Sequence, residues 1–439
     1  MTKVPITGWI VAILLLLPVS TWAQESEGAD GLDYYIQDPL LEEFIRETID
    51  ANPQLKVMLS EYRASIQQIP QVTALPDPMM TFTQFIRSPE TRVGPQTHSL
   101  MISQRFPWFG KLDLHGKVAV REASARYEQY RGYERQLAAR VKDTFYELGY
   151  LDRSIEIARE EQLVLEYYEQ LAQTRYATGG GLQHEVIKVQ TEITRAIDRL
   201  SVLSEQRNAA VSRLNTLRSR RPEEPIAVIA SIEPPPLLFN LDALYSLGES
   251  NRPELRAALD GIEGNELGVE LSRKGYWPDV TLSAGLINVD GREDPAGRAL
   301  PPPDNGKNVY NFSVGINIPI RRDKYRAAEL AAGERVVAGR DRYDAIANEM
   351  RFEIQTQANR IETLSRQLDL YERVLIPQAD SALRSVETAY ETGLTGALDL
   401  LDSERVLLNI RLAQERFVSD YMQALSRLEF ALGTRFPQR

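Results

Sequence analysis

The segment Tyr390–Asp402 reads Y-E-T-G-L-T-G-A-L-D-L-L-D, and the architecture of the whole chain follows from it. A counterpart, Arg175–Lys188 (R-Y-A-T-G-G-G-L-Q-H-E-V-I-K), lies about 214 positions earlier, the offset from Gly179 to Gly393. Both sit between long proline-poor stretches, so each is a tight turn joining two helices. Glycine accepts the left-handed backbone that ends a helix without steric cost, and Gly179 and Gly393 fall at those ends. After the second turn, Asp399 and Asp402 are three apart and share one face of the outgoing helix. The chain therefore holds two helical hairpins, each with a presented tip.

The flanking helices are long. No proline occurs between Trp108 and Arg221, and only Pro377 interrupts Ile320 to Phe436. A helix from Lys111 to Thr178 extends roughly 100 Å at about 1.5 Å per residue, wider than a compact domain. Leu137, Val141, Phe145, Leu148 and Ile155 recur at three-and-four spacing, as do Ala413, Phe417, Tyr421, Leu425, Leu428 and Leu432. This is coiled-coil patterning with a narrow apolar stripe, suited to a water-lined wall or a solvated rod.

A second offset, of about 200 positions, relates Leu41 to Leu241, Pro53 to Pro253 and Leu55 to Leu255. Each half thus begins with helices, here Pro39–Ala51 and a helix from Pro53 to Ile69 stopped by Pro70. A strand pair follows within 78–106 (Met79–Arg87, Thr97–Phe106) and again within 279–320 (Asp279–Val289, Asn308–Ile320). In the second pair Val280, Leu282, Ala284 and Leu286 alternate with Thr281, Ser283 and Gly285. Tyr310, Phe312, Val314 and Ile316 alternate in the same way with Asn311, Ser313 and Gly315. One face is apolar and meets lipid or a protein core; a soluble sandwich is the alternative. Met79 and Met80 are adjacent, so they point to opposite faces and do not form a soft-metal pair. The repeat divides the chain into 24–221, a proline-rich linker at 222–236, and 237–439.

Composition narrows the function. Net charge is −11, against a nucleic-acid partner. There is no cysteine, which excludes disulfides, thiol chemistry and an N-terminal lipid on cysteine. His98, His115 and His184 are too scattered for a metal site, and no cofactor motif or catalytic couple is present. Residues 1–23 have the form of a secretory signal: Lys3, the apolar run Ile10–Leu17, and Thr21-Trp22-Ala23 before the expected cleavage. The run Glu25–Asp33 that follows is polar.

The order helix, strand pair, long hairpin, twice over, resembles the TolC family of outer-membrane efflux proteins. Tyr390, Gly393, Asp399 and Asp402 match its aromatic-x-x-Gly and Asp-x-x-Asp tip pattern, and nearly the whole mature chain is covered. The Gln104–Lys111 turn (Q-R-F-P-W-F-G-K) is similar to the heavy-metal branch that includes CusC and CzcC. The resemblance implies a mainly α fold with a small β part, a TolC-like trimeric α/β barrel. Four strands per chain would contribute to a shared outer-membrane β-barrel of about 12 strands, with the helices forming a periplasmic α-barrel. It implies an exit duct for a tripartite efflux system, in the outer membrane, as a homotrimer. Its partners would be a periplasmic adaptor, an inner-membrane pump of RND or ABC type, and outer-membrane lipid. Asp399 and Asp402 would form the periplasmic gate. Tyr176, Gly179, Gly180, Gly181, Tyr390, Gly393 and Gly396 would be the adaptor-contact tips. Two departures stand out: the first tip carries Glu185 and Lys188 at the aspartate positions, and Thr395 stands where TolC itself has an arginine. On spacing alone the two aspartates read first as an ordinary solvated helix start, favoured by the helix dipole, and it is the repeat and the resemblance that turn the reading toward a gate. Protein secretion through the same fold, or a periplasmic coiled-coil scaffold, are the competing functions.

Overall fold

The computed structural model describes residues 38–229 and 231–434. The expected signal segment, its cleavage near Ala23, and the polar run to Asp33 lie outside these residues.

Asp38 and Asn52 start the first two helices by accepting from first-turn amides, Leu40 N at 2.8 Å and Leu55 N at 3.0 Å. Each is followed by proline at the first helical position, where a missing N–H has no partner to lose. Helix α1 spans Pro39–Ala51 and α2 spans Pro53–Thr73. Pro70 does not stop α2, contrary to expectation. The helix runs three residues further, to Thr73, and in this last turn Gln71 Nε2 and Thr73 Oγ1 bond back to the carbonyls of Gln67 and Ile69.

Strands β1 (Met79–Gln84), β2 (Glu90–Thr91) and β3 (Gly94–Phe106) follow, then α3 (Lys111–Ala177) and α4 (Gln183–Leu217). The second half gives α5 (Leu241–Asn251), α6 (Pro253–Lys274), β4 (Val280–Val289), the short α7 (Pro295–Ala299) and β5 (Val309–Ile316). It ends with α8 (Arg322–Leu370), a π turn at Tyr371–Leu375, α9 (Ile376–Glu391) and α10 (Ala397–Leu432). In the π turn Ile376 N donates to Tyr371 O, five residues back, so the helix passes Pro377 without breaking.

The strands form one antiparallel sheet in the order β1-β3-β4-β5, with β2 folded back on the start of β3. Both halves share this sheet, joined at β3–β4, where Ile102 lies opposite Ala284 and Phe106 opposite Val280. β1 and β5 are shorter than the expected 79–87 and 308–320, since pairing ends at Gln84 and Ile316. The register lines up Met80, Ile102, Ala284 and Phe312, then Phe82, Leu100, Leu286 and Tyr310, on one face. That face is open: Met80, Phe82, Ile102, Tyr310, Phe312, Val314 and Ile316 are all exposed. Met79 pairs with Ser103 on the opposite face from Met80. No helix packs across the sheet, so the second layer that a soluble sandwich requires is absent from the described residues.

The helices pack lengthwise. On α3, Leu137, Val141, Phe145, Leu148 and Ile155 are buried against neighbouring helices, and α10 buries Tyr421, Leu425, Leu428 and Leu432. At 67 residues α3 is about 100 Å long. Between the halves the linker is pinned to the helices. Ile229 N donates to the buried Asp152 carboxylate at 2.9 Å, and Tyr421 Oη donates to Pro235 O at 2.6 Å.

Candidate functional site

The two hairpin tips carry the residues singled out by sequence. In the first, α3 ends at Ala177 and Gly179 adopts φ +80°. Gly180 N then donates to Arg175 O (2.8 Å) and Gly179 N to Tyr176 O (3.1 Å), the paired bonds of a Schellman turn. The second tip repeats this geometry: Gly393 has φ +82°, Leu394 N donates to Ala389 O (2.8 Å) and Gly393 N to Tyr390 O (3.1 Å).

The tips are tied to each other through groups that sequence reading did not select. Arg175 donates from Nη1 to Tyr390 O (2.6 Å) and from Nη2 to Gly180 O (3.0 Å). Its guanidinium also lies 4.3 Å from the centroid of the Tyr390 ring. Glu185 accepts from Ala397 N, the first amide of α10, and from Leu182 N, both at 3.4 Å. A carboxylate suits that position, because free amides and the helix dipole meet it there. Further along, Arg405 Nη2 donates to Glu192 Oε1 at 2.9 Å, joining α10 to α4.

Tyr390 requires a correction. It is fully buried beneath the tip, with Leu400, Leu401 and Val189 in the same apolar cluster, so its side chain presents no surface to a partner. Burial, then the nearby Glu185 carboxylate, raises its hydroxyl above the usual tyrosine range, with Arg175 pulling the other way. Tyr176, Gly179, Gly180 and Gly393 are exposed, while Gly181 and Gly396 are half-buried. A Cβ on Gly179 would meet nothing within 4 Å. Three leucines absent from the sequence selection, Leu182, Leu394 and Leu398, stand exposed on the same tips.

Asp399 and Asp402 are both exposed on the first turns of α10. Thr395 Oγ1 donates to Asp399, and Asp402 is 4.0 Å from Arg405 Nη1. No group of three or more His, Cys, Asp or Glu side chains able to hold a metal occurs among the described residues. One turn on, Glu404 is buried. Burial and then Glu161 push its carboxyl up to about 7, with Glu387 adding to the rise and Arg411 opposing it.

The chain as a whole has known counterparts. A sequence model described as "Outer membrane efflux protein" matches residues 44–218 and 244–434. The chain is 22% identical over 430 residues to outer membrane protein TolC of Vibrio cholerae, covering 90% of each chain. It is 21% identical to the cobalt-zinc-cadmium resistance protein CzcC of Cupriavidus metallidurans, covering 96% of this chain and 98% of that one. The two identities are alike and favour neither branch. The crystal structure of outer membrane protein VceC of Vibrio cholerae superposes with a TM-score of 0.73 at 20% identity, covering 91% of this chain and 98% of that one.

Proposed function

The chain belongs to the outer membrane efflux protein family, a family of channels and not of enzymes, and we propose that it is the exit duct of a tripartite efflux system. Channels of this family are homotrimers set in the outer membrane with their helices in the periplasm, and they work with a periplasmic adaptor and an inner-membrane pump. The observation that carries the reading is an open sheet with one exposed apolar face, continuous with hairpins about 100 Å long. β1 and β5 are unpaired edges, and edges in a membrane must be closed. Three copies, β5 of each against β1 of the next, would close a barrel of about 12 strands. The hairpins would continue it as a tube.

At the far end the threefold axis would gather three copies each of Asp399 and Asp402. Rings of carboxylates attract cations and repel anions at a constriction. The Arg175 and Glu185 ties support a tip held shut within each protomer, in a chain that has Thr395 where an arginine would otherwise reach across. The adaptor would meet Tyr176, Gly179, Gly180, Gly181, Gly393 and Gly396 together with Leu182, Leu394 and Leu398.

Single-channel conductance in a planar bilayer tests both parts. The parent is expected to give a small, cation-selective conductance, and Asp399→Ala/Asp402→Ala a larger and less selective one. Equal selectivity in the two would remove the gate assignment, and silence from folded, trimeric protein would remove the channel.

A further inference from the structure

The outward apolar face has a definite lower border. Register places Phe106, Val280 and Ile316 on one line across the sheet, so the residues that follow 106, precede 280 and follow 316 gather at its helical end. Trp108 stacks on Trp277 there, with centroids 5.1 Å apart and planes at 11°, and Phe109, Trp277, Ile318 and Ile320 are exposed. Aromatic rings at such a border sit at headgroup depth in a bilayer.

Directly after this border comes R-R-D-K-Y-R, residues 321–326, with four bases and one acid in a chain whose net charge is −11. Arg321, Arg322, Lys324 and Arg326 are all exposed, and among the described residues none forms an ion pair. Their surroundings differ. Lys111 and Arg105, at the same end of the sheet, are committed to Asp279 at 2.7 and 3.6 Å. Lower on the α6–α8 contact, Arg273 pairs with Glu329 and Arg340 with Glu266, each at 2.8 Å. Four unmatched bases thus stand directly where the sheet gives way to α8 at its helical end.

We propose that Arg321, Arg322, Lys324 and Arg326 bind the anionic headgroups of phospholipids in the membrane leaflet at the helical end of the sheet. The inference rests on the sheet lying in the outer membrane. Charge complementarity and continuity with the apolar face both point to this occupant: acyl chains would lie on Ile316, Ile318 and Ile320, and the phosphate would meet the bases just beyond. Long basic side chains reach headgroups readily while their stems stay on the apolar surface. The four bases would fix the depth of the barrel and add a salt-sensitive hold on the lipid around it.

The test is native mass spectrometry of the purified trimer after equilibration with phosphatidylglycerol or phosphatidylcholine. The parent should retain phosphatidylglycerol preferentially, with the preference falling at high salt. Each base replaced in the series Arg321→Gln, Arg322→Gln, Lys324→Gln and Arg326→Gln should weaken it, by roughly fivefold in affinity. Arg321→Lys/Arg322→Lys/Arg326→Lys should keep it, since charge and not guanidinium geometry is required. Planar-bilayer conductance of the glutamine variants, expected to equal the parent's, keeps this question separate from the channel itself. Equal retention of both lipids by the parent would overturn the proposal, as would undiminished phosphatidylglycerol in the quadruple variant. Dissociation of that variant into monomers would also overturn it, by assigning the bases to an acidic surface on a second copy.

Discussion

Glu404 occupies a position in α10 that the apolar stripe reserves for leucine, between Leu400 and Leu401 on one side and Leu407 and Leu408 on the other, all buried. Its carboxyl titrates near 7 against an ordinary 4.5, so the folded protein binds a proton there that the unfolded chain releases. Stability therefore falls as pH rises from 4.5 through 7, by roughly 3 kcal/mol per protomer at most. Thermal melting should occur at lower temperature at pH 8 than at pH 5, and Glu404→Gln should flatten that dependence. An unchanged slope would place the proton on Glu161 or Asp143, whose burial raises them too. Arg175 makes a second residue-scale prediction. Arg175→Ala removes two hydrogen bonds and a cation–π contact, worth about 1–3 kcal/mol locally. Amides at 393–398 should exchange faster, and the closed conductance should rise; protection equal to the parent's would show the tie to be idle. Much of this scale was not legible. Tyr176 and Tyr390 stand in the same aromatic-x-x-Gly pattern, yet one is exposed and the other buried. What separates them is Arg175, which reaches across from the other hairpin, and a tertiary reach leaves no trace in local spacing. Glu404 did leave one, as an acid at a heptad-like core position.

Among the elements, the strands and long helices could be read from period alone. The expected helix from Lys111 to Thr178 is observed as Lys111–Ala177, because glycine turns at Gly110 and Gly179 bound it and no proline falls between them. Prolines inside helices were harder to interpret. Pro70 is tolerated in the last turn of α2, and Pro377 is absorbed by an extra residue in the preceding turn, with Tyr371 packed edge-on against Phe417 at 5.0 Å. Whether a helix breaks at proline depends on slack upstream, which residue type does not reveal. The sheet offers a paired test. Val314→Arg puts a charge on the apolar face and should cost about 2–4 kcal/mol of barrel stability, while Ser313→Arg, on the opposite face, should cost far less. Urea unfolding in lipid vesicles would compare them, and equal costs would mean that the two faces meet the same environment.

At the scale of the whole molecule, the repeat made the architecture legible, since each half supplies a strand pair and a hairpin that cannot bury its own apolar surface. The protein is expected to fractionate with the outer membrane and to migrate as a trimer in mild detergent; release by a salt wash would favour a scaffold. What the repeat did not reveal is how its copies meet. β3 and β4, the strands at the centre of the sheet, come from opposite sides of the linker, and Phe106 finds Val280 only after α3, α4, α5 and α6 have passed between them. The hairpin formed by α3 and α4, by contrast, closes through a turn of a few residues. Loop closure slows with separation, so the local hairpin assembles early and the central seam late. During export the first strand pair must wait, unzipped on its inner edge, until β4 has crossed the inner membrane, 174 positions from Phe106 to Val280. The first hairpin of each protomer is thus built before the seam of its sheet can close, and the second hairpin follows it.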